Sequence, residues 1–339
     1  MSRTALRHIA ISRDPAPGSR GWRVVRTEGA DPAQSLEGRP VEEAASLAPR
    51  IFNLCGAAHG LAAARALGLP VAANDRAIAR ESVRDHALAI LHGWPTLLDG
   101  APDRTALRAL AQDSAEADAA LRAALVGERL AHRDFGALAR SELGAWLCAG
   151  ETATARILSR LSRELDPAEG RVGLPELTAV DLSRALAVEL EHDGSARPLP
   201  FRETGALGRV AGSALFTALL PAEGPSLFVR LLARLTDLLA LLTAPAAPPA
   251  PSGAPGTGLA DAARGLLGHG ARVEDGRVAR YRILSPSAWN LAPGGLLEQA
   301  FATLDPSAPH APLAARFLLS AINPCVPVTL DLEGALDHA

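Results

Sequence analysis

The sequence feature that most constrains the fold is a cysteine and a histidine near one end of the chain, with another cysteine near the other end. Cys55 and His59 lie four residues apart at the start of a run of small residues, so a helix places both side chains on one face. Cys325 follows Cys55 by 270 positions. Thiolate and neutral imidazole are preferred ligands of borderline-soft metals. If these side chains form one site, the two ends of the chain must fold against each other.

Core packing is the commoner explanation of such a pair, because free cysteine is among the most buried residue types and a histidine can be satisfied within a core. Both explanations stay open at this point. Cys148 follows the apolar run 143–147, and we predict that it packs in the core.

Composition excludes several classes of protein. The chain has 339 residues and 48% hydrophobic residues, enough for one large domain or two smaller ones. A net charge of -3 excludes a nucleic-acid surface built on bulk positive charge. The 34 basic residues are all arginine, so a single arginine carries less meaning than usual.

The cysteine count and the apolar segments bear on the compartment. Three cysteines do not make a disulfide framework and fit a reducing environment. Residues 1–8 lack the apolar run of a signal peptide, and the apolar segment 227–242 contains Arg230, Arg234 and Asp237, which disfavours a membrane span. These features predict a cytoplasmic protein.

Periodicity predicts an α-dominated α+β fold with a small antiparallel β-sheet. An Asp-Gly turn within 272–281 is the clearest hairpin signal. We interpret 261–269 as a short helix or turn and the Pro/Ala/Gly-rich stretch at about 244–260 as a flexible linker. The predicted strands are 6–12 and 22–27, and the predicted helical regions are about 40–68, 73–93, 103–192, 226–243, 296–301 and 313–321.

The segments around the two cysteines resemble the large subunit of nickel–iron hydrogenases. That family carries Arg-Ile-Cys-Gly-x-Cys-x-x-x-His near its N-terminus and Asp-Pro-Cys-x-x-Cys-x-x-His near its C-terminus. Arg50, Ile51, Cys55 and His59 match the first motif, and residues 323–325 (Asn-Pro-Cys) approximate the second.

Internal blocks extend the resemblance in the family's order. Residues 203–209 are similar to its Glu-Val-Gly-Pro-Leu-Ala-Arg, and 263–269 to its Pro-Arg-Gly-x-Leu-x-His. Residues 281–293 resemble its Tyr-x-x-x-x-Pro-[Ser/Thr]-Thr-Trp-Asn-x-x-Pro. Residues 100–200 match poorly.

The departures from the family decide the functional expectation. In the family, four thiolates hold nickel and two of them bridge to iron. Here Phe52 and Val328 stand where two of those cysteines are expected, and Asp331 stands in place of the last histidine. Two thiolates cannot make that nickel site, so we expect no enzyme and no stably bound nickel.

What remains resembles the iron side of the family's pocket. The resemblance implies that Cys55 and Cys325 are the metal ligands and that Arg264 and Ser287 face the cyanide ligands of the iron. It implies that His59 supports a thiolate by hydrogen bonding.

This combination is similar to the HupK-type hydrogenase expression and formation proteins, relatives of the large subunit. The resemblance implies a single domain over 1–339 with a large-subunit-like helical core, interrupted by the linker. It implies a maturation scaffold that holds iron with cyanide and carbonyl ligands transiently. The implied partners are a HypC-type chaperone and the large-subunit precursor, with no nucleic acid and no membrane.

Two other hypotheses stay open. One is a metal-free mimic of the large subunit that binds maturation chaperones or hydrogenase subunits. The other is a residual enzyme.

Overall fold

Helices dominate the chain. The computed structural model describes residues 4–14, 21–71, 75–191, 200–243 and 254–332. The α-helices are α1 (Val41–Ile51), α2 (Gly56–Ala66), α3 (Asp75–Leu88), α4 (Trp94–Leu97), α5 (Arg104–Leu110), α6 (Ala115–Val126), α7 (Glu128–Ala131), α8 (Arg140–Ala149), α9 (Ala153–Glu164), α10 (Ala179–Glu191), α11 (Ala206–Val210), α12 (Ala214–Glu223), α13 (Leu227–Thr243), α14 (Pro286–Asn290), α15 (Leu296–Phe301) and α16 (Ala311–Ile322).

Local residue chemistry sets many of the helix ends. The side chains of Asp103, Ser114 and Thr152 each accept a hydrogen bond from a backbone N–H in the first turn of α5, α6 and α9. At the other end, Gly150 closes α8 in the left-handed conformation. Asn323 does the same after α16, with a φ of 56°. The short polar side chain of asparagine tolerates this conformation, and it turns the chain sharply just before Cys325.

Helix α13 forms the centre of the main core. Almost all of its side chains are buried, and it packs against α3, α11 and α16. Arg230, Arg234 and Asp237 are buried with the leucines of this helix. They therefore need partners within the protein, and these partners shape the site described below. No helix among the described residues is long and apolar enough to cross a membrane.

The first sheet joins the beginning of the chain to its end. β1 (Thr4–Arg13) pairs antiparallel with β2 (Trp22–Ala30), which confirms the two predicted N-terminal strands. β6 (Val328–Asp331) pairs parallel with β1, in register from Ile9 opposite Val328 to Ser12 opposite Asp331. Val328, which stands where the large-subunit family has a cysteine, therefore pairs within a β-sheet.

The second sheet is antiparallel, in the order β3 (Thr257–Ala262), β4 (Gly265–Glu274) and β5 (Arg277–Leu284). Asp275 and Gly276 form the β4–β5 turn with positive φ, as the sequence predicts. The prediction of a helix or turn over 261–269 is wrong, because these residues lie in β3, β4 and the turn between them.

The glycines of β3 and β4 explain why the sequence did not predict these strands. A Cβ atom at Gly258 would lie 2.0 Å from the carbonyl oxygen of Ala62, and one at Gly268 would lie 2.8 Å from a methyl carbon of Leu186. These strands are glycine-rich because α2 and α10 approach their backbones closely, and a sequence without partners does not reveal that approach.

The predicted fold class is confirmed, with two small sheets among the described residues instead of one. The linker predicted at about 244–260 falls partly on 244–253, which lie outside the described residues, whereas 257–260 belong to β3. A single domain over 1–339 stays a prediction. The prediction that Cys148 packs in the core is wrong, because α8 buries Leu143 and Trp146 and leaves Cys148 exposed.

We expect Leu235→Ala to lower the free energy of unfolding by about 2–5 kcal/mol, because it removes a fully buried side chain from α13 and leaves a cavity. Urea denaturation followed by circular dichroism measures this loss. Leu88→Ala is the matched control, because Leu88 is 51% exposed at the end of α3, and it should cost about 0.5 kcal/mol or less. Equal losses in the two variants would contradict this placement of the core.

Candidate functional site

The structure brings the two ends of the chain to one site. Cys55 ends a 3-10 turn immediately before α2, and Cys325 lies three residues after the end of α16. Both cysteines are partly buried and form no disulfide. Asp85 bonds to Arg264 and to Asn323, two residues before Cys325, and Cys55 packs against the cluster that contains Ala262, two residues before Arg264. These contacts bring the segments of the two cysteines together, and a shared site for the two sulfurs stays a prediction.

The thiol of Cys55 is kept protonated by its surroundings. Burial raises the pKa of Cys55 to about 12, and the positive charge of Arg264 offsets only part of this rise. Glu81 lies nearby and accepts a hydrogen bond from the backbone N–H of Ala57 at 2.8 Å, at the start of α2. The Glu81 carboxylate therefore lies at the N-terminus of α2. The positive end of the helix dipole there would otherwise stabilise a thiolate at Cys55. A metal must therefore displace a firmly held proton from this sulfur.

Arg264 lies in the turn between β3 and β4, and its side chain is only 10% exposed. Its Nη2 donates to Oδ1 of Asp85 at 2.6 Å. Its Nε–H is buried and has no acceptor among the described residues. A buried donor without an acceptor is costly, which suits a site that receives a ligand.

Asp85 on α3 holds Arg264 in place and was not predicted from the sequence. Its Oδ2 also accepts from Arg234 Nη2 at 2.8 Å and from the Asn323 side-chain amide at 2.7 Å. Burial alone would raise the pKa of Asp85, but the charges of Arg234 and Arg264 lower it below its usual value. The sequence signal for this carboxylate was Arg234, since a buried arginine within a leucine-rich helix requires an anionic partner.

A second layer of paired charges lies behind Asp85. The Nδ1 atom of His86 accepts from Arg234 Nε at 3.1 Å, so its Nε2 carries the hydrogen and donates to Asp237 at 2.9 Å. Burial lowers the pKa of His86, which keeps the ring neutral. Asp237 also accepts from Arg209, which in turn pairs with Asp261 at 3.0 Å. This layer fixes the orientation of Arg234.

Ser287 lies in α14 and is buried. Its Oγ accepts a hydrogen bond from the backbone N–H of Cys325 at 3.0 Å. The hydroxyl can still donate its own hydrogen to an acceptor near Cys325. Asn290, at the end of α14, bonds to both backbone groups of Thr204 and so anchors the segment that presents Ser287.

His59 lies one helical turn after Cys55, and its ring hydrogen-bonds to a buried side chain. Its Nδ1 is 2.8 Å from Nε2 of His269, whose Nδ1 is 2.7 Å from the Tyr281 hydroxyl. Burial lowers the pKa of His59 to about 4, so the ring is neutral at pH 7. The Phe52 ring stacks on His59 with centroids 4.7 Å apart. Phe52, which stands where the large-subunit family has a cysteine, therefore packs against the His59 imidazole.

The described residues contain no group of three or more histidine, cysteine, aspartate or glutamate side chains that could hold a metal ion. The two thiols are the available soft ligands. Two thiolates do not complete the four-coordinate shell of a structural zinc site.

Comparisons with known proteins identify the family. The profile of the nickel-dependent hydrogenases matches residues 197–328. The chain is 34% identical to the hydrogenase expression/formation protein HupK of Rhodobacter capsulatus, over 88% of this chain and 89% of that protein. It is 30% identical to the hydrogenase expression/formation protein HoxV of Cupriavidus necator, over 89% of this chain and 90% of that protein.

The chain belongs to the family of hydrogenase expression/formation proteins. This confirms the resemblance inferred from the motifs. The uptake hydrogenase large subunit of Rhodobacter capsulatus is also similar, at 30% identity over 25% of this chain and 16% of that protein.

Solved structures agree on the fold. An NAD+-reducing [NiFe]-hydrogenase in the H2-reduced state aligns with a TM-score of 0.54 and 18% identity, over 90% of this chain and 92% of that chain. The Ni-Fe-Se hydrogenase from D. vulgaris Hildenborough aligns with a TM-score of 0.51 and 17% identity, over 96% of this chain and 98% of that chain. The family member described here therefore has the fold of hydrogenase large subunits.

Native-state alkylation tests the burial of Cys55. We expect iodoacetamide to label Cys148 first and Cys55 at least about a hundredfold more slowly at pH 7.5, because so little of the buried thiol is ionised. The rate at Cys55 should keep rising with pH towards about 12, where its pKa lies. Peptide mass spectrometry measures both rates. In urea the two rates should converge, and a fast reaction at Cys55 in the folded protein would contradict the structure.

Asp85→Asn should lower the free energy of unfolding by about 3–5 kcal/mol at pH 7, because it leaves two buried guanidinium groups without their carboxylate. The pKa of Asp85 lies below its usual value, so this contribution is present at neutral pH and is lost only as the pH falls below about 4. Urea denaturation at several pH values measures it. Asp113→Asn, at an exposed pair with Arg76, is the control and should have little effect. A small loss at Asp85 would show that it does not hold this network.

Proposed function

We propose that this protein is a non-catalytic maturation factor for nickel–iron hydrogenase, acting in the cytoplasm. In this proposal it holds the iron–cyanide–carbonyl unit of the active site, as cargo, before the unit passes to the large subunit. The observation that carries the proposal is that Asp85 bonds to both Arg264 and Asn323, two residues before Cys325, while Cys55 packs against the cluster that contains Ala262. The names of its relatives support a role in hydrogenase formation.

The ligand set suits this cargo better than it suits a bare ion. An iron that already carries cyanide and carbonyl needs few protein ligands, and two thiolates are available. Cyanide nitrogen accepts hydrogen bonds, and a guanidinium donor gives roughly 1.5–3 kcal/mol against about 1 kcal/mol for a neutral donor. Arg264 and the Ser287 hydroxyl are the donors that we assign to the cyanides. We assign His59 the hydrogen bond that supports a thiolate, which would use its Nε2, because its Nδ1 lies 2.8 Å from Nε2 of His269.

Nickel chemistry is not supported by the residues present. Phe52 and Val328 occupy positions where the large-subunit family has cysteines. Phe52 packs on His59, and Val328 pairs with Ile9 in the first sheet. Both positions are used for packing or pairing, which supports a non-catalytic role without stably bound nickel.

The protonation of Cys55 supports loose holding. The raised pKa means that protons compete with metal for this sulfur at neutral pH. A site with fewer thiolates and a strong proton competitor releases its metal readily, which is what a donor requires. The proposed partners are a HypC-type chaperone and the large-subunit precursor.

A metal-free mimic of the large subunit is the alternative function. Its large-subunit-like fold is the observation that favours it, since a chaperone that recognises the precursor's shape could bind this chain too. This function requires no cargo at Cys55.

Infrared spectroscopy of anaerobically purified protein distinguishes these functions, because cyanide and carbonyl stretches fall where proteins do not absorb. We expect such bands in the wild type and their loss in Cys55→Ser and in Cys325→Ser, since each variant removes a metal ligand. Cys148→Ser is the matched control, because that thiol is exposed on α8 and belongs to none of the segments that form the site, and it should keep the bands.

A protein without these bands that still captures the HypC-type chaperone would support the mimic instead. Bands that survive in both Cys55→Ser and Cys325→Ser would contradict the assigned ligands. Stoichiometric nickel with hydrogen uptake would contradict the non-catalytic role.

A further inference from the structure

Three buried rings form an aromatic row (Tyr281, His269 and His59) that runs from the second sheet to α2. His269 on β4 is opposite Ile283 on β5, and Tyr281 lies two residues before Ile283. His269 and Tyr281 are therefore diagonal neighbours on one face of the sheet. Helix α2, which carries His59, packs against β4. The strand register thus places His269 between the other two rings.

Two hydrogen bonds join the aromatic row. Nε2 of His269 is 2.8 Å from Nδ1 of His59, and Nδ1 of His269 is 2.7 Å from the Tyr281 hydroxyl oxygen. Burial lowers the pKa of both histidines and raises the pKa of Tyr281, so all three groups are neutral at pH 7. A neutral imidazole carries one N–H, so the hydrogens of both bonds must point the same way along the row.

Acid and base strength favour one direction. A phenol is a stronger acid than a neutral imidazole, and an imidazole nitrogen is a stronger base than a phenol oxygen. This favours a row in which Tyr281 donates to Nδ1 of His269 and the Nε2–H of His269 donates to Nδ1 of His59. The single hydrogen of the His59 ring then lies on Nε2. The opposite direction would leave that nitrogen bare.

The His59 ring is also fixed in orientation. Phe52 stacks on its face with an interplanar angle of 18°, and His269 holds its Nδ1 in the plane of the ring. A flip of the ring would break the bond to His269. The Nε2 atom of His59 forms no hydrogen bond within the described part of the chain. This atom is therefore available to a group bound beside α2, which begins directly after Cys55.

We propose that Tyr281 and His269 are positioning residues that keep the hydrogen of His59 on Nε2, so that this ring offers a donor to the Cys55 thiolate. A hydrogen bond to the charged form of a group favours that form, and a bare nitrogen cannot supply one. Tyr281 and His269 act only through His59. The use of the donor by the thiolate rests on the proposed function, whereas the tautomer is a property of the metal-free chain.

Nitrogen-15 NMR of metal-free protein labelled at histidine measures the tautomers, because protonated and bare ring nitrogens resonate far apart. The signals of the two rings are assigned from their loss in His59→Gln and His269→Gln. We expect the hydrogen on Nε2 in both His59 and His269. A hydrogen on Nδ1 of either ring would overturn the proposal.

Tyr281 is the only tyrosine of the chain, so fluorinated tyrosine supplied during expression changes this hydroxyl and no other residue. Fluorine makes the phenol more acidic and therefore a stronger donor. We expect the Nδ1 signal of His269 to move towards the protonated position while the hydrogen of each histidine stays on Nε2. An unmoved Nδ1 signal would show that Tyr281 does not donate to His269 and would overturn the proposal.

Tyr281→Phe removes the hydroxyl and keeps the ring. We expect the population of His59 with its hydrogen on Nε2 to fall to about half, because neither tautomer of His269 is then preferred. Thr236→Val is the matched control, because it removes a buried hydroxyl that bonds within α13, and it should leave the tautomers unchanged. Circular dichroism checks that both variants are folded. An unchanged His59 tautomer in Tyr281→Phe would overturn the proposal.

Infrared spectra of anaerobically purified protein test the use of the donor. Tyr281→Phe should lose the cyanide and carbonyl bands about tenfold faster than the wild type, because outer partners of metal-bound groups typically contribute that much to metal retention. Equal persistence of the bands in the two proteins would overturn the proposal. Absence of bands already in the wild type would instead contradict the proposed function, and the NMR result then decides the role of Tyr281.

Discussion

The carboxylate of Asp85 is the interaction on which the site depends. It joins four segments that are distant in sequence: α3, which carries it; α13, through Arg234; the β3–β4 turn, through Arg264; and the end of α16, through Asn323. Each partner comes from a different part of the chain. The position of the Arg264 guanidinium relative to the two thiols is therefore set by a single acceptor, and this acceptor is kept ionised by the charges that it binds.

The sequence predicted the parts of the site that carry recognisable chemistry. Cys55 and Cys325 were predicted to meet, and in the structure Asn323, two residues before Cys325, bonds to the same carboxylate as Arg264. The placement of Ser287 against the backbone of Cys325 agrees with the role that the resemblance implies for it. These predictions could be made because motif spacing and residue type survive in the sequence even where two of the family's cysteines are lost. Whether iron binds there stays a prediction.

Other features could not be predicted, for physical reasons. Strands β3 and β4 were missed because their glycines reflect contact with α2 and α10, which a single sequence does not display. Cys148 follows an apolar run, yet its position on α8 points it to solvent, since the helix buries Leu143 and Trp146 instead. Asp85 was missed because an aspartate within a charged helix looks like a solvated residue. The buried Arg234, which needs an anionic partner, is the sequence signal for the role of Asp85.

The parallel pairing of β1 with β6 has a consequence for synthesis. During translation Cys55 leaves the ribosome long before Cys325 exists, and the strand that closes the first sheet follows Cys325. A nascent chain therefore presents one sulfur without its counterpart and without the turn at Asn323. The order of events is imposed by topology: Cys325 and the turn at Asn323 are made long after Cys55, so any guest held by both sulfurs binds only after residue 325 has emerged.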